Sequence, residues 1–338
     1  MTTFIDLFAG IGGFRIALEN LGCTCVFSSE IDPHSRKVYA ANHGHLPENE
    51  DICQLDERDV PDHDILCGGF PCQAFSIAGR KRGFEEARGT LFFEIARILN
   101  HKKPKAFILE NVQGLVHHNK GRTLKVILDI LENDLHYFVP TPQILNAKDF
   151  GVPQNRPRIF IVGFRKDLNI THFTYPKPVR KPVAIKDILE RKEVSVKYYL
   201  SQCYLETLYK HRQRHEDKGN GFGYEIIPHD GISNAIVVGG MGKERNLVID
   251  KRLTNFQPVT RIKGEVNKEF VRRMTPREWA RLQGFPEDFK IVVSDGQAYK
   301  QFGNSVAIPV VEAVATEVIK NLTLSTAPKN TVGCVSVA

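Results

Sequence analysis

Four side chains stand where their type and spacing allow chemistry. The first is Cys72, in the stretch Gly68-Gly-Phe-Pro-Cys-Gln-Ala-Phe-Ser76. It follows the apolar run Asp64-Ile-Leu-Cys67, which reads as a buried strand. Two glycines and Pro71 end that strand, so Cys72 falls on a loop at its C-terminal end, the edge where open α/β sheets bind ligands. Pro71 fixes its own φ and biases Phe70 towards extended backbone, which aims the next side chain. A thiol held there is a candidate nucleophile; the bland alternative is an inert loop cysteine. The second is Glu110, which ends another buried strand, Lys105–Leu109. The last two are Arg156 and Arg158 in Gln154-Asn-Arg-Pro-Arg158, just before the strand Ile159–Gly163. Two residues apart on an extended segment, they share a face. They need an anion or a carbonyl to bind, unless they are simply exposed.

The elements that must position these groups begin at the N-terminus. Phe4–Phe8 is a short strand, Ala9-Gly-Ile-Gly-Gly13 a glycine-rich turn, and Phe14–Leu21 a helix closed by Gly22. Thr24–Ser29 is a second strand that ends in Glu30. An acid about 20 residues beyond such a turn meets ribose hydroxyls in nucleotide-binding folds. The glycine spacing does not match G-x-G-x-x-G, so a nucleoside-containing ligand is favoured over a dinucleotide. Pro47–Asp51 is a turn, Leu91–Leu99 and Thr123–Leu131 read as helices, and Asp149–Pro153 is a turn. Gly79-Arg-Lys-Arg-Gly83 is flexible and basic, a lid that touches phosphates.

From about Tyr175 the β/α rhythm stops. Pro176, Pro178 and Pro182 mark a linker, and short β-like runs such as Ala235–Val238 predict a second, mostly β domain with basic loops, among them Lys218–Tyr224 and Gly239–Gly242. Thr275, Pro276 and Glu278 read as N-cap, N1 and N3 of a helix that Gly284 closes. Gln301–Ser305 leads into a helix over Val306–Ile319, interrupted early by Pro309, and residues 326–338 form a frayed tail. The expected division is 1–180 plus 293–325 for one domain and 181–292 for the other.

The 338 residues are 42% hydrophobic and 25% charged, as in soluble globular proteins. No apolar run approaches the roughly 20 residues of a membrane span. The N-terminus lacks a signal-peptide pattern, which points to a cytoplasmic protein. Seven scattered cysteines without a C-x-x-C pair argue against both a disulfide framework and a metal site. Of the net charge of +7, the segment Lys181–Arg273 holds +6, as a polyanion-binding face would.

Taken together, these segments resemble the DNA cytosine-5 methyltransferases of bacterial restriction–modification systems. The likeness runs from Thr3 to about Asn321 and rests on five motifs in the family's order: Asp6–Phe14, Gly69–Gln73, Glu110-Asn-Val112, Gln154–Arg158 and Gln301–Val306. It implies an α/β fold: a Rossmann-like mixed sheet that binds S-adenosylmethionine, with a smaller, mostly β target-recognition domain. By this resemblance Phe8, Gly10, Gly12, Glu30, Asp51, Ile52, Leu91, Asn304 and Ser305 would form the cofactor pocket. Cys72 would be the nucleophile, Glu110 its acid partner, and Arg158, with Arg156 behind it, would hold the base. Contacts to double-stranded DNA would fall to Gln73, Ser76, Arg80, Arg82, Lys218, Gly239 and Gly240.

The residue types suit that reaction. Thiolate addition at cytosine C6 activates C5 towards a methyl sulfonium. A carboxylic acid near N3 and an arginine near O2 stabilise the adduct. The base must leave the stack, and the segment from about Gln73 to Arg88 would close over it. The second domain's Lys218–Tyr224, Ala235–Gly242 and Val248–Asp250 resemble the HpaII-type enzymes, which modify CCGG, although Ala235-Ile236 replaces a Thr-Leu pair that many relatives carry. The resemblance further implies a functional pairing with a restriction endonuclease, a bacterial cytoplasmic location and, with no heptad segment left over, a monomer. A tRNA cytosine-5 methyltransferase is the alternative, against which the long 181–273 insert counts. A DNA-binding protein without catalysis and a nicotinamide dehydrogenase fit less well.

Overall fold

A computed structural model describes residues 1–70, 91–179, 183–219, 223–239, 242–256 and 264–326. The chain opens with β1 (Thr3–Leu7), α1 (Gly13–Glu19), β2 (Thr24–Ser29) and α2 (Pro33–His43), followed by β3 (Ile65–Gly69). Next come α3 (Leu91–Lys102), β4 (Ala106–Val112), α4 (Arg122–Asp129), β5 (Tyr137–Phe138), β6 (Gln143–Asn146), β7 (Gln154–Asn155) and β8 (Pro157–Arg165). Seven of these strands form one sheet in the order β2-β1-β3-β4-β8-β5, with β6 also on β8. The strands β1 to β4 run parallel, while β8 is antiparallel to β4, β5 and β6.

Both faces of the sheet are covered, and the strand period of two sorts the side chains between them. Phe4, Ile65, Cys67, Ile108, Phe160 and Val162 join one buried cluster. Their neighbours Ile5, Leu66, Phe107, Leu109, Ile159 and Ile161 join the other. The same alternation places Glu110 and Arg158 on the first face.

The second half contributes α5 (Gln202–Glu216), β9 (Ser233–Asn234), β10 (Leu247–Ile249), β11 (Val271–Arg273), α6 (Pro276–Leu282), α7 (Asp295–Asn304) and α8 (Ile308–Thr326). The segment 181–292 is less β than its sequence predicts. Among the described residues its three strands hold two or three residues each, whereas α5 alone has fifteen. The helix was hidden because only Leu205 and Leu208 are buried on it, which leaves no apolar stripe to read. The run Ala235–Val238 pairs with no strand among the described residues; instead Gln154 and Arg156 side chains hold Ile236 by its backbone.

Helix α6 starts as expected. Thr275 Oγ1 accepts the Glu278 N–H at 3.1 Å, and Glu278 Oε2 accepts the Thr275 N–H at 2.7 Å, a reciprocal capping box. Pro309 does not interrupt the last helix. It sits in the first turn of α8, where a missing N–H costs no intrahelical bond. The stretch Asp295–Ser325 is long and apolar enough to cross a membrane, contrary to the simple reading of its composition. Here Val311, Val314, Ala315 and Val318 are fully buried in one cluster with Phe14, Ala17 and Leu18 of α1. Helix α8 thus returns to α1.

Candidate active site

A cavity of about 450 Å³ lies at the C-terminal ends of the strands. β1 pairs with β2 on one side and β3 on the other, so this is where the strand order reverses and where such sheets bind ligands. One wall is the turn after β1. Phe8 has φ 59, a left-handed conformation that side chains disfavour and that marks functional turns. Two backbone bonds hold the turn there: Ala9 N–H to Ser29 O at 2.9 Å and Gly12 N–H to Ala9 O at 2.8 Å. Gly12 caps α1 at φ 88, and a Cβ on it would meet His43 Nε2 at 2.2 Å. A Cβ on Gly13 would lie 2.8 Å from Val306 Cγ2 and 2.9 Å from Ser305 Oγ. The first motif and the last are therefore in direct contact, and only glycine fits between them.

Glu30, at the end of β2, accepts the Gly10 N–H at 2.8 Å and the Asp32 N–H at 2.7 Å. Its carboxylate is thus clamped across the turn. Burial raises its pKa above the ordinary value, and the two N–H donors work against that rise.

The opposite wall is built for charge. Glu110 pairs in register with Gly69 of β3 and with Phe160 of β8. Arg158 lies opposite Val112, diagonal to Glu110, and its Nε stands 3.1 Å from Glu110 Oε1 as an ion pair. Glu110 is 9% exposed. Burial pushes its carboxyl up, while the nearby guanidiniums of Arg158 and Arg156 pull it down; the net shift is upward. Such a group carries a proton at higher pH than a free carboxylate.

Arg156 finds carbonyls, not an anion. It donates to Ile236 O at 2.8 Å, Gly303 O at 3.0 Å and Ser305 O at 2.7 Å. Beside it, Gln154 donates to Leu282 O at 2.8 Å and accepts the Ile236 N–H at 3.0 Å. Together they fasten the loop that carries the exposed Val237, Val238 and Gly239 to the cavity rim. A Cβ on Gly303 would meet Val238 Cγ2 at 2.9 Å, so the loop rests on the helix end that lines the cavity.

Phe8, Gly10, Glu30, Glu110, Arg156, Arg158, Asn304 and Ser305 are brought together around the cavity. Gly12, Asp51, Ile52 and Leu91 are not among its lining residues. Asp51 lies just after Asn49, which bridges to Ser29 at the sheet edge. Ile52 and Leu91 pack into the cluster beneath the far sheet face. Lys218 and Gly239 are exposed. Cys72, Gln73, Ser76, Arg80, Arg82 and Gly240 lie outside the described residues.

The structure adds four residues. Asp32, Lys300 and Gln301 also line the cavity. Asn111, 2% exposed, donates from Nδ2 to Phe70 O at 2.8 Å and so tethers the chain two residues before Cys72. Asn111 and Gln301 stand inside the motifs Glu110–Val112 and Gln301–Val306, and Asp32 belongs to an Asp-Pro pair that reads as N-cap and N1 of a helix; Lys300 alone of the four has no local signal.

A sequence profile described as C-5 cytosine-specific DNA methylase matches residues 2–320. The chain belongs to that family. It is a DNA methyltransferase acting at C5 of cytosine. Among its relatives, the type II methyltransferase M.HpaII of Haemophilus parainfluenzae is 62% identical over 95% of this chain and 90% of its own length. M.HhaI of Haemophilus parahaemolyticus is 42% identical over 94% of both chains. The crystal structure of the S. pombe Dnmt2 methyltransferase, 21% identical, superposes with a TM-score of 0.70 over 95% of this chain and 99% of that one, which shows the shared fold. Methyltransferases of this family use S-adenosylmethionine.

Proposed function

We propose that this enzyme methylates one cytosine within CCGG in duplex DNA, using Cys72 as nucleophile, Glu110 as acid and Arg158 as anion stabiliser. The observation that carries the reading is the Glu110–Arg158 pair, set across one cavity from the Glu30-clamped turn. The cradle fits S-adenosylmethionine: a glycine turn, an acid for ribose hydroxyls and a wall reaching Asn304 and Ser305. Bound there, the cofactor supplies an electrophilic methyl group.

The protein's own part is then as follows. The Cys72 thiolate adds to C6 of a flipped cytosine. Glu110, its pKa raised by burial, donates its proton towards N3. Arg158 holds the charge that develops at O2. Once C5 carries its methyl group, removal of the C5 proton expels the thiolate. Arg156 is a positioning residue that ties the recognition loop to the Gly303–Ser305 rim.

We further assign residues 1–180 with 293–325 to catalysis and 181–292 to target recognition. The enzyme works as a monomer in the bacterial cytoplasm and protects DNA from a cognate restriction endonuclease. The likeness of the 218–250 segment to HpaII-type enzymes, and the 62% identity to M.HpaII, support CCGG as the site.

The test is bisulfite sequencing of mixed-sequence DNA after incubation with S-adenosylmethionine, for wild type and Cys72→Ser. The expected result is protection of one cytosine in each CCGG, lost in the variant. Protection in another sequence overturns the assigned site, and an active Cys72→Ser enzyme overturns the nucleophile.

A further inference from the structure

Between Glu110 and Asp129 the chain holds no acid, while Lys120, Arg122 and Lys125 follow His117 and His118 in close succession. The fold decides where this basic run sits. β4 and β5 are both antiparallel to β8, so they point the same way, and α4 between them must run back from the edge at which β4 ends. That is the edge on which the cavity opens, since Val112, the last residue of β4, lines it. A 3₁₀ turn, Gln113–Val116, and the residues His117–Gly121 join Val112 to α4. The basic run therefore stands on the ligand edge, in the part of the chain that carries Glu110 and outside 181–292.

It is held there from both sides. Leu115 and Ile127 are fully buried in one cluster. His118 Nδ1 and Thr123 Oγ1 are hydrogen-bonded at 2.7 Å. The N–H groups of Lys120, Gly121 and Arg122 donate to the carbonyls of His117, His118 and Asn119 at 3.1, 3.1 and 3.2 Å. Asn119 and Lys120 are left-handed, at φ 49 and 56, a conformation that side chains disfavour.

Nothing within the protein rewards this grouping of charge. Lys120, Arg122 and Lys125 are exposed, and none of them forms an ion pair among the described residues. Arg122 and Lys125 lie three apart on α4, where like charges repel. The helix begins at Gly121 with no capping side chain and no acid in its first turn, so it supplies no counter-charge. An anion from outside would relieve all of this at once.

We propose that Lys120, Arg122 and Lys125 form a docking patch for the phosphate backbone of duplex DNA beside the flipped cytosine. The inference rests on the reading that a base leaves the duplex for this cavity. With the base held at the C-terminal ends of the strands, neighbouring phosphates lie over the same edge. Phosphate contacts position a duplex without reading its sequence, so the patch strengthens binding to every DNA alike.

Fluorescence anisotropy over a salt series tests this, with the full-length protein, a CCGG duplex and a scrambled duplex. A triple variant, Lys120→Ala with Arg122→Ala and Lys125→Ala, loses up to three phosphate contacts. Its slope of log K against log salt is shallower by about 2–3, and its affinity at about 0.1 M salt is lower by about 10²-fold, for both duplexes. A charge-keeping variant, Lys120→Arg with Arg122→Lys and Lys125→Arg, retains the wild-type slope. An unchanged slope in the alanine variant, a loss confined to the CCGG duplex, or an equal loss in the charge-keeping variant overturns the proposal. A 2-aminopurine at the target cytosine brightens when it leaves the stack; no brightening with wild-type protein overturns the underlying reading of the cavity instead.

Discussion

Two buried acid–arginine groups in this molecule look alike in sequence and differ in how completely they are paired. In the segment 181–292, Arg272 is fully buried and donates to both oxygens of Glu278 at 2.8 Å and from Nε to Asp250 at 3.0 Å. Glu278 also accepts the N–H groups of Thr275 and Glu190, at 2.7 and 2.8 Å. Burial would raise the Asp250 pKa, but the Arg252 and Arg272 guanidiniums outweigh it and hold the carboxyl at about 2. In the cavity, Arg158 gives Glu110 one contact at 3.1 Å, and the net effect on Glu110 is a raised pKa. The first group spends its donors and acceptors within the protein. Among the described residues, the second gives Glu110 no ion-pair partner beyond Arg158, and burial raises its carboxyl above the ordinary value. Saturation marks the structural pair, and incomplete pairing marks the chemical one.

The comparison predicts opposite outcomes for one substitution made in the two places. Glu278→Gln leaves Arg272 partly unpaired in the interior and lowers unfolding free energy by about 3–5 kcal/mol, measured by urea denaturation. The methylation rate per folded molecule stays at the wild-type value. A variant as stable as wild type would break the comparison at its structural end.

A smaller effect comes from Asp6 on β1, another buried carboxyl, which forms no ion pair with an arginine among the described residues. It is fully buried, which pushes its pKa up to about 8 from an ordinary 3.8. As pH rises past the ordinary value, the unfolded chain releases this proton first. The folded state therefore loses stability progressively until about pH 8, where the folded group titrates as well. Between pH 5 and pH 8, Asp6→Asn removes a loss of roughly 2–4 kcal/mol from the wild-type profile, read from denaturation curves at the two pH values. Parallel profiles for the two proteins would show that Asp6 is charged in the fold.

Much of the site was legible because its signals are local. Glycines at a strand end, an acid after an apolar strand, and Thr275 three residues before Glu278 each act within one turn of backbone. The parallel strands around β1 were legible as continuous apolar runs, since both sheet faces are covered. What stayed hidden depends on contacts distant in sequence. Lys300 meets Asp32 across 268 residues, and Arg156 meets Ile236 across 80. Nothing near Arg156 says that its partners are carbonyls. Ala235–Val238 has strand-like composition, yet tertiary hydrogen bonds from Gln154 and Arg156 fix it as a loop. Helix α5 was missed for the opposite reason, since a mostly polar helix held by two buried leucines has almost no periodicity to detect.

The most direct test of the incomplete-pairing account is Glu110→Gln, assayed for single-turnover methyl transfer to DNA and for unfolding by urea. Glutamine still offers Arg158 an oxygen but has no acidic proton. The account predicts a rate lower by about 10²–10³-fold with unfolding free energy within about 1 kcal/mol of wild type. A rate near wild type, or a stability loss as large as that of Glu278→Gln, would contradict it.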